Sequence, residues 1–367
     1  MKFVHWRNVV YQKGANLMND LTIFQEPFSP WMHEQGPFDD IVLSSRVRLA
    51  RNLQRYTFPK ALSIEMKQEI TQKMADKFNE KTFCTDRVMH MFHMDELTDL
   101  QKSVLVEKHL VSPLLTKTPG SSVLISSDEQ LSIMIHEEDH LRIQSMFTGI
   151  QIARAYELAN QMDDWLETQL DYAFDENFGY LTSCPTNVGT GLRCSVMLHL
   201  PGPVMTKQMD PTVHTLNRLG FVVRGIYGEG TTALGHLFQL SNQVTLGKTE
   251  SEMVDELTKI TEKIVEQERH ARDHLMTHAR FMLEDRIFRS LGTLKYAILM
   301  QSKEAAERLS DILLGIYLGF IEGMSIQQIR QLFTWIQPGF LQVYAGKSLD
   351  INEREVARAN LLRKYLA

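Results

Sequence analysis

The chain changes character at Thr249, and that change limits its architecture more than any other feature. Residues 39–248 alternate short apolar runs with turns rich in Gly, Pro and Asp, whereas beyond Thr249 apolar residues recur at helical spacing with little strand signal. Thr249 and Glu252 form a capping-box signature, and Ser325 with Gln328 repeats it. The pattern predicts an α+β domain, a sheet flanked by helices, followed by an all-α domain. The expected divisions are an N-terminal arm over 1–38, a mixed domain over 39–271 and a helical domain over 272–367. A chain of 367 residues has length enough for two cores. Residues 1–17 show no clear period, and Met18 before Asn19 and Asp20 is a second candidate start, so this stretch reads as a start-site artefact or a loose arm.

A net charge of −6 argues against a general nucleic-acid or membrane-surface binder, so any anion site must be local. Three cysteines, Cys84, Cys184 and Cys194, form no CxxC pair and suggest no disulfide framework. With no apolar run near membrane-span length and no signal-peptide core, the expected location is the cytoplasm.

The local anion site is foreshadowed by Cys184 to Arg193, where Gly189 and Gly191 stand among short hydroxyl residues. Such a loop turns tightly and brings backbone N–H groups to an anion, and Arg193 adds a guanidinium fork. A plain Gly-rich turn between strands is the alternative. Strand alternation puts Arg46 and Arg48 on one side of the segment after Ile41–Leu43. Arg142 and Arg224 also stand at strand ends or in loops, and five such arginines suit a triphosphate bound without a P-loop.

Three motifs mislead. Gly247-Lys248-Thr249 ends like a P-loop, but Asn242 stands where its first glycine belongs; Gly228-Glu229-Gly230 has Ala233 where a dinucleotide fingerprint needs its third glycine. No HRD or DFG signature supports a eukaryotic-type protein kinase. His136-Glu137-Glu138-Asp139-His140 satisfies HExxH, yet the preceding residues 131–135 read as strand, whereas the zinc motif requires a helix.

Together, Ser45-Arg46-Val47-Arg48, Glu137 to Arg142, Cys184 to Arg193 and Val223-Arg224-Gly225 resemble the signatures of the phosphagen (guanidino) kinases. The resemblance implies that the five arginines are ATP-phosphate ligands and that Mg²⁺ rides on the phosphates, with no metal ligand on the protein. It extends the nucleotide site to Ser44, Ser45, Val47, His109, Cys194, Ser195, Val196, Met197, Gly225, Ile226, Tyr227, Gly228 and Glu229. Glu138 matches the family's general base, Glu229 its second substrate carboxylate and Cys184 its reactive cysteine. His136 departs from the usual asparagine.

Only about forty residues precede Ser44, where the metabolic enzymes carry a substrate-closing helical domain, and the C-terminal helical domain is foreign to them. This combination resembles the bacterial protein arginine kinases of the family. That implies protein substrates, an activator McsA, a repressor CtsR and the ClpC/ClpP protease as partners, in a homodimer with no direct nucleic-acid or membrane role. Arg354, Glu355, Arg358 and Ala359 resemble an allosteric phosphoarginine pocket, with Glu355 in place of aspartate; a solvated helix face is the other reading. The rival functions are a small-molecule guanidino kinase and a catalytically silent phosphoarginine reader.

Overall fold

The computed structural model describes residues 22–80, 87–225 and 234–366. Cys84, Ile226, Tyr227, Gly228, Glu229 and the 1–17 segment lie outside the described residues. After a helical turn, α1 (22–25), come β1 (Val42–Arg51), α2 (Ile64–Glu80), β2 (Met89–His93), α3 (Asp99–Glu107), β3 (Ser122–Ser126), β4 (Leu131–Ile135) and β5 (Leu141–Thr148). The chain continues through α4 (Ile152–Glu167), the two-residue strands β6 (Phe174–Asp175) and β7 (Gly179–Tyr180), β8 (Leu192–His199), α5 (Pro201–Met205), α6 (Met209–Arg218), β9 (Phe221–Gly225) and β10 (Leu237–Asn242). Six helices complete it: α7 (Glu250–His278), α8 (Arg280–Tyr296), α9 (Ser302–Tyr317), α10 (Ile326–Trp335), α11 (Pro338–Ala345) and α12 (Ile351–Leu366).

Among the described residues, eight strands form one antiparallel sheet in the order β2-β3-β4-β5-β1-β8-β10-β9. The ten-residue β1 lies inside it, between β5 and β8. Residues directly opposite in antiparallel strands share a face, so the register divides the sheet chemically. Ser44, Arg46 and Arg48 lie opposite Thr148, Met146 and Gln144 of β5, and opposite Met197, Ser195 and Arg193 of β8. Arg142 follows opposite Ala50, while Gln239 joins Met197 to Arg224. This is the polar face. The other face carries Val47, Leu49, Ile143, Phe147, Leu192, Cys194 and Val196, all buried in one core with α4 and α7.

Several sequence expectations change here. The strand β5 went unread between HExxH and the following helix, although Leu141, Ile143 and Ser145 alternate with Arg142, Gln144 and Met146. The helix α4 ends at Glu167, and beyond it Tyr172 pairs with Leu53. Thr249 makes both capping-box bonds, but Ser325 makes no side-chain cap bond.

The helical region has its own core, from Leu275 through Leu313 to Leu362. α7 runs through the expected boundary at 271, giving Met253, Leu257 and Val265 to the first core and Leu275 to the second. The two parts touch closely. Ser310 of α9 meets His199 and His236, each at 2.8 Å, and Gly235 at φ 61° lies so near Ala306 that an added Cβ would stand 2.7 Å from its carbonyl oxygen. Glu107, at the end of α3, accepts the N–H groups of Gly339 and Phe340 in the first turn of α11 at 2.6 and 2.9 Å.

Candidate active site

The register gathers Arg46, Arg48, Arg142, Arg193 and Arg224 on one face and surrounds them with few acids. Arg46 donates to Gln239 at 2.9 Å and to Ser195 at 3.4 Å. Arg142 pairs with Glu137 at 2.6 Å. The Nε atoms of Arg48 and Arg193 are buried and have no hydrogen-bond partner among the described residues. Burial, together with repulsion from Arg142 and Arg193, lowers the Arg46 guanidinium to about 10, and burial with the neighbouring arginines depresses Arg48 well below its ordinary value. Like charges held together with unmet donors form a site that a polyanion would relax.

Two loops bring the remaining chemistry to this face. His136 turns the chain at φ 62° after β4, and Glu137 accepts Ser112 Oγ at 2.6 Å and the Glu138 N–H at 3.1 Å. Glu138 is half-buried, and burial with the charges of Asp139 and Glu137 raises its carboxyl above the ordinary range. Asp139 Oδ1 receives the Asn52 side chain at 2.6 Å and the Ser183 N–H at 2.7 Å, tying the Glu138 loop to the Cys184 loop. Glu138 acts electrostatically on Arg193, and Cys184 Sγ lies 3.0 Å from Thr186 Oγ1.

The Cys184 loop is fastened from beneath. Arg51, on the opposite face from Arg48, meets Asp163 of α4 at 2.5–3.1 Å, donates to the Thr190 carbonyl at 2.9 Å and lies 3.5 Å from the Tyr180 ring centroid. Gly191, at φ 65°, leaves no room for a Cβ beside Ala50 and Arg51.

Not every expected ligand faces the arginines. Ser45, Val47, Cys194 and Val196 alternate to the core face: Ser45 Oγ donates to the Gly149 carbonyl, and burial pushes the Cys194 thiol up to about 12. These four are packing positions by geometry. Ser44, Ser195 and Met197 do face the arginines, and Gly225 ends β9. His109 has φ 59°, and burial beside Arg46 keeps its imidazole neutral, lowered to about 4. Its carbonyl accepts Gln144 Nε2 at 2.9 Å, a contact that became legible only with β5. Ser112 is likewise a residue that sequence reasoning missed.

The HExxH motif is no helix. His136 Nε2 lies 3.0 Å from the Lys67 carbonyl; His140 Nδ1 accepts the Leu53 N–H and its Nε2 lies 2.9 Å from the Thr57 carbonyl. Among the described residues no group of three or more His, Cys, Asp or Glu is arranged to hold a metal. In the helical domain, Arg354 and Glu355 are half-buried while Arg358 and Ala359 are buried. Arg358 donates Nε to the Ile336 carbonyl at 2.9 Å and Nη1 to the Met300 carbonyl at 2.8 Å. No described helix is long and apolar enough to cross a membrane.

This sheet and arginine face agree with the comparisons. The family model described as the ATP:guanido phosphotransferase C-terminal catalytic domain matches residues 69–271, and the chain belongs to that family of ATP-using phosphotransferases. The fold is similar to the duplicated taurocyamine kinase from Schistosoma mansoni, with a TM-score of 0.58 at 22% identity over 72% of this chain and 39% of that one. It is also similar to lombricine kinase, with a TM-score of 0.53 at 23% identity over 64% of this chain and 68% of that one. The particular branch follows from the rest of the chain. The model described as the protein-arginine kinase McsB C-terminal domain matches residues 280–367. The chain is 51% identical to a protein-arginine kinase of Bacillus velezensis over 93% of its length and 94% of the relative's, and 50% identical to that of Halalkalibacterium halodurans over 93% and 96%. It is a protein arginine kinase.

Proposed function

We propose that the polar face carries the triphosphate of ATP and that the Glu138 loop presents a protein's arginine to its γ-phosphorus. The observation that supports this most directly is the pair of buried Nε donors of Arg48 and Arg193, unmet among the described residues, with Glu138 near Arg193. Their number and charge fit a polyphosphate. When bound with the nucleotide, Mg²⁺ would neutralise charge on the phosphates.

A guanidinium stays protonated in water, so it must be held and stripped of a proton to act as a nucleophile. Glu138 accepts that proton as the P–N bond forms and the bond from the γ-phosphorus to the ADP oxygen breaks. A carboxyl raised by burial holds the abstracted proton more firmly than an exposed one. Glu229 would supply a second carboxylate to the guanidinium, and Cys184 would flank it. Arg46, Arg48, Arg142, Arg193 and Arg224 would neutralise charge on the phosphoryl group in flight.

By the same reading, Arg354 and Arg358 form a phosphoarginine pocket beside Glu355 and Ala359. Arg358 would then give a ligand only the donors it does not spend on the Ile336 and Met300 carbonyls. The exposed apolar residues Phe281, Met282 and Tyr296 of α8 support a homodimer. The activator McsA, the repressor CtsR and the ClpC/ClpP protease belong to this proposal as cytoplasmic partners.

The test is incubation of the full chain with Mg·ATP and either free arginine or an unfolded arginine-rich protein, followed by assay of acid-labile, alkali-stable phosphate. Label on the protein, lost in Glu138→Gln, is the expected result. Label undiminished in that variant would remove Glu138 from the role of base.

A further inference from the structure

Helix α7 ends in a run that the arginine face does not use, His270-Ala271-Arg272-Asp273-His274-Leu275-Met276-Thr277-His278, with a histidine at every fourth position. On a helix that spacing lines side chains along one stripe. All three histidines are exposed, while Ala271, Arg272 and Leu275 between them are buried. We propose that this stripe is a site for one divalent transition ion of the Zn²⁺ or Cu²⁺ type, gripped by two imidazoles at a time, with His274 common to the two alternative pairs.

The rings are already placed for such a grip. His274 and His278 lie side by side, their centroids 4.4 Å apart and their planes 24° from parallel. His278 Nδ1 is 3.1 Å from the His274 carbonyl, which can only accept, so Nδ1 donates and the Nε2 lone pair is left for a metal. Metal-ligating histidines characteristically donate their other ring N–H in this way. His270 and His278 stand eight residues apart, about 12 Å along the axis, too far to share an ion whose bonds to nitrogen are about 2 Å long. One ion therefore takes His270 with His274 or His274 with His278, and water fills its other positions. No three of these groups converge, in keeping with the lack of a three-residue metal cluster among the described residues.

Chemistry and charge suit that ion. Imidazole favours borderline transition metals whereas Mg²⁺ seeks oxygen, so this site is separate from the Mg²⁺ carried on phosphates. The neighbouring cations are engaged elsewhere: Arg272 pairs with Glu268 at 2.6 Å, Arg269 with Asp40 at 3.5 Å, and Arg280 lies 5.7 Å from the Phe320 ring centroid. Glu266 and Asp273 are exposed on the same helix and add negative charge. Because α7 ends at His278, the carbonyl end of its dipole also favours a cation there. The backbone leaves helical geometry at Ala279, φ −139°, before α8 begins. An ion on His274 and His278 would staple the last turn of α7 just ahead of that break.

Calorimetric titration of the full chain, free of nucleotide and of any polyhistidine tag, with zinc chloride tests this. The tightest Zn²⁺ should bind at one per chain, and excess Mg²⁺ should not compete. His274→Gln removes both pairs and should weaken Zn²⁺ at least about tenfold, whereas His270→Gln and His278→Gln each leave one pair and should lose less. Cu²⁺ should bind more tightly than Zn²⁺, with nitrogen coupling in its electron paramagnetic resonance spectrum that diminishes in His274→Gln. Circular dichroism should show all three variants as helical as the wild type, since the side chains are exposed and glutamine is a good helix former. Absence of Zn²⁺ uptake by the wild type, unchanged affinity in His274→Gln, or equal losses in all three variants overturns the proposal.

Discussion

Arg48 and Arg51 are three residues apart on one strand, yet their surroundings are opposite. Arg51 faces the core, where Asp163 takes its charge, the Ala50 and Thr190 carbonyls take further N–H donors, and Tyr180 covers its plane. Arg48 faces other arginines, and its buried Nε has no partner among the described residues. The strand's alternation makes one arginine structural and the other unmet. Burial alone therefore does not tell these two arginines apart; the Asp163 carboxylate beside Arg51 does.

The first way to break this comparison is to remove each side chain's role. Arg48→Ala should lower kcat/KM by at least about 10³-fold, the scale of a phosphoryl-stabilising arginine, with the melting temperature held or raised because like-charge repulsion is relieved. Steady-state kinetics beside a thermal melt checks both; a large fall in melting temperature would make Arg48 structural. Asp163→Ala should show the reverse, because it strands the buried Arg51 charge. It should cost about 3–5 kcal/mol of stability, measured by denaturant unfolding. A stability cost under about 1 kcal/mol would show that the core-face pair does not hold the Thr190 loop.

The smallest effect concerns the base. Glu138 has a raised pKa, so its carboxylate form, and with it the rate, is lost as pH falls through that raised value. Lys60 is exposed and its charge lowers the Glu138 pKa. Lys60→Ala should therefore move the acid limb of the kcat/KM profile upward by a few tenths of a pH unit, the scale of a screened surface charge. A limb that stays in place would assign the titration to another group.

Much of this site was legible in the chain. Alternation alone put Arg46 and Arg48 together, and short hydroxyl residues with glycine announced the Cys184 loop. The same alternation, applied consistently, would have turned Val47, Cys194 and Val196 away from a ligand; a motif read as a continuous string hides that period of two. β5 was overlooked because its alternating run follows directly on HExxH, where His136 at φ 62° turns the chain from one strand to the next. Glu107 carries no local signal. It meets Gly339 and Phe340 only because a helix of the second domain, 232 residues further on, closes against α3, and sequence spacing is silent on such a meeting.

The 29 residues of α7 form one rod, roughly 43 Å long at 1.5 Å per residue, seated in one core up to Val265 and in the other from Leu275. A helix turns by about 100° per residue. Losing or gaining one residue between those seats would rotate Leu275 out of its core while Val265 stayed in place. The length of that interval thus acts as a gauge: substitutions along its solvent side are tolerable, but a change in residue count would misalign the second domain against the first.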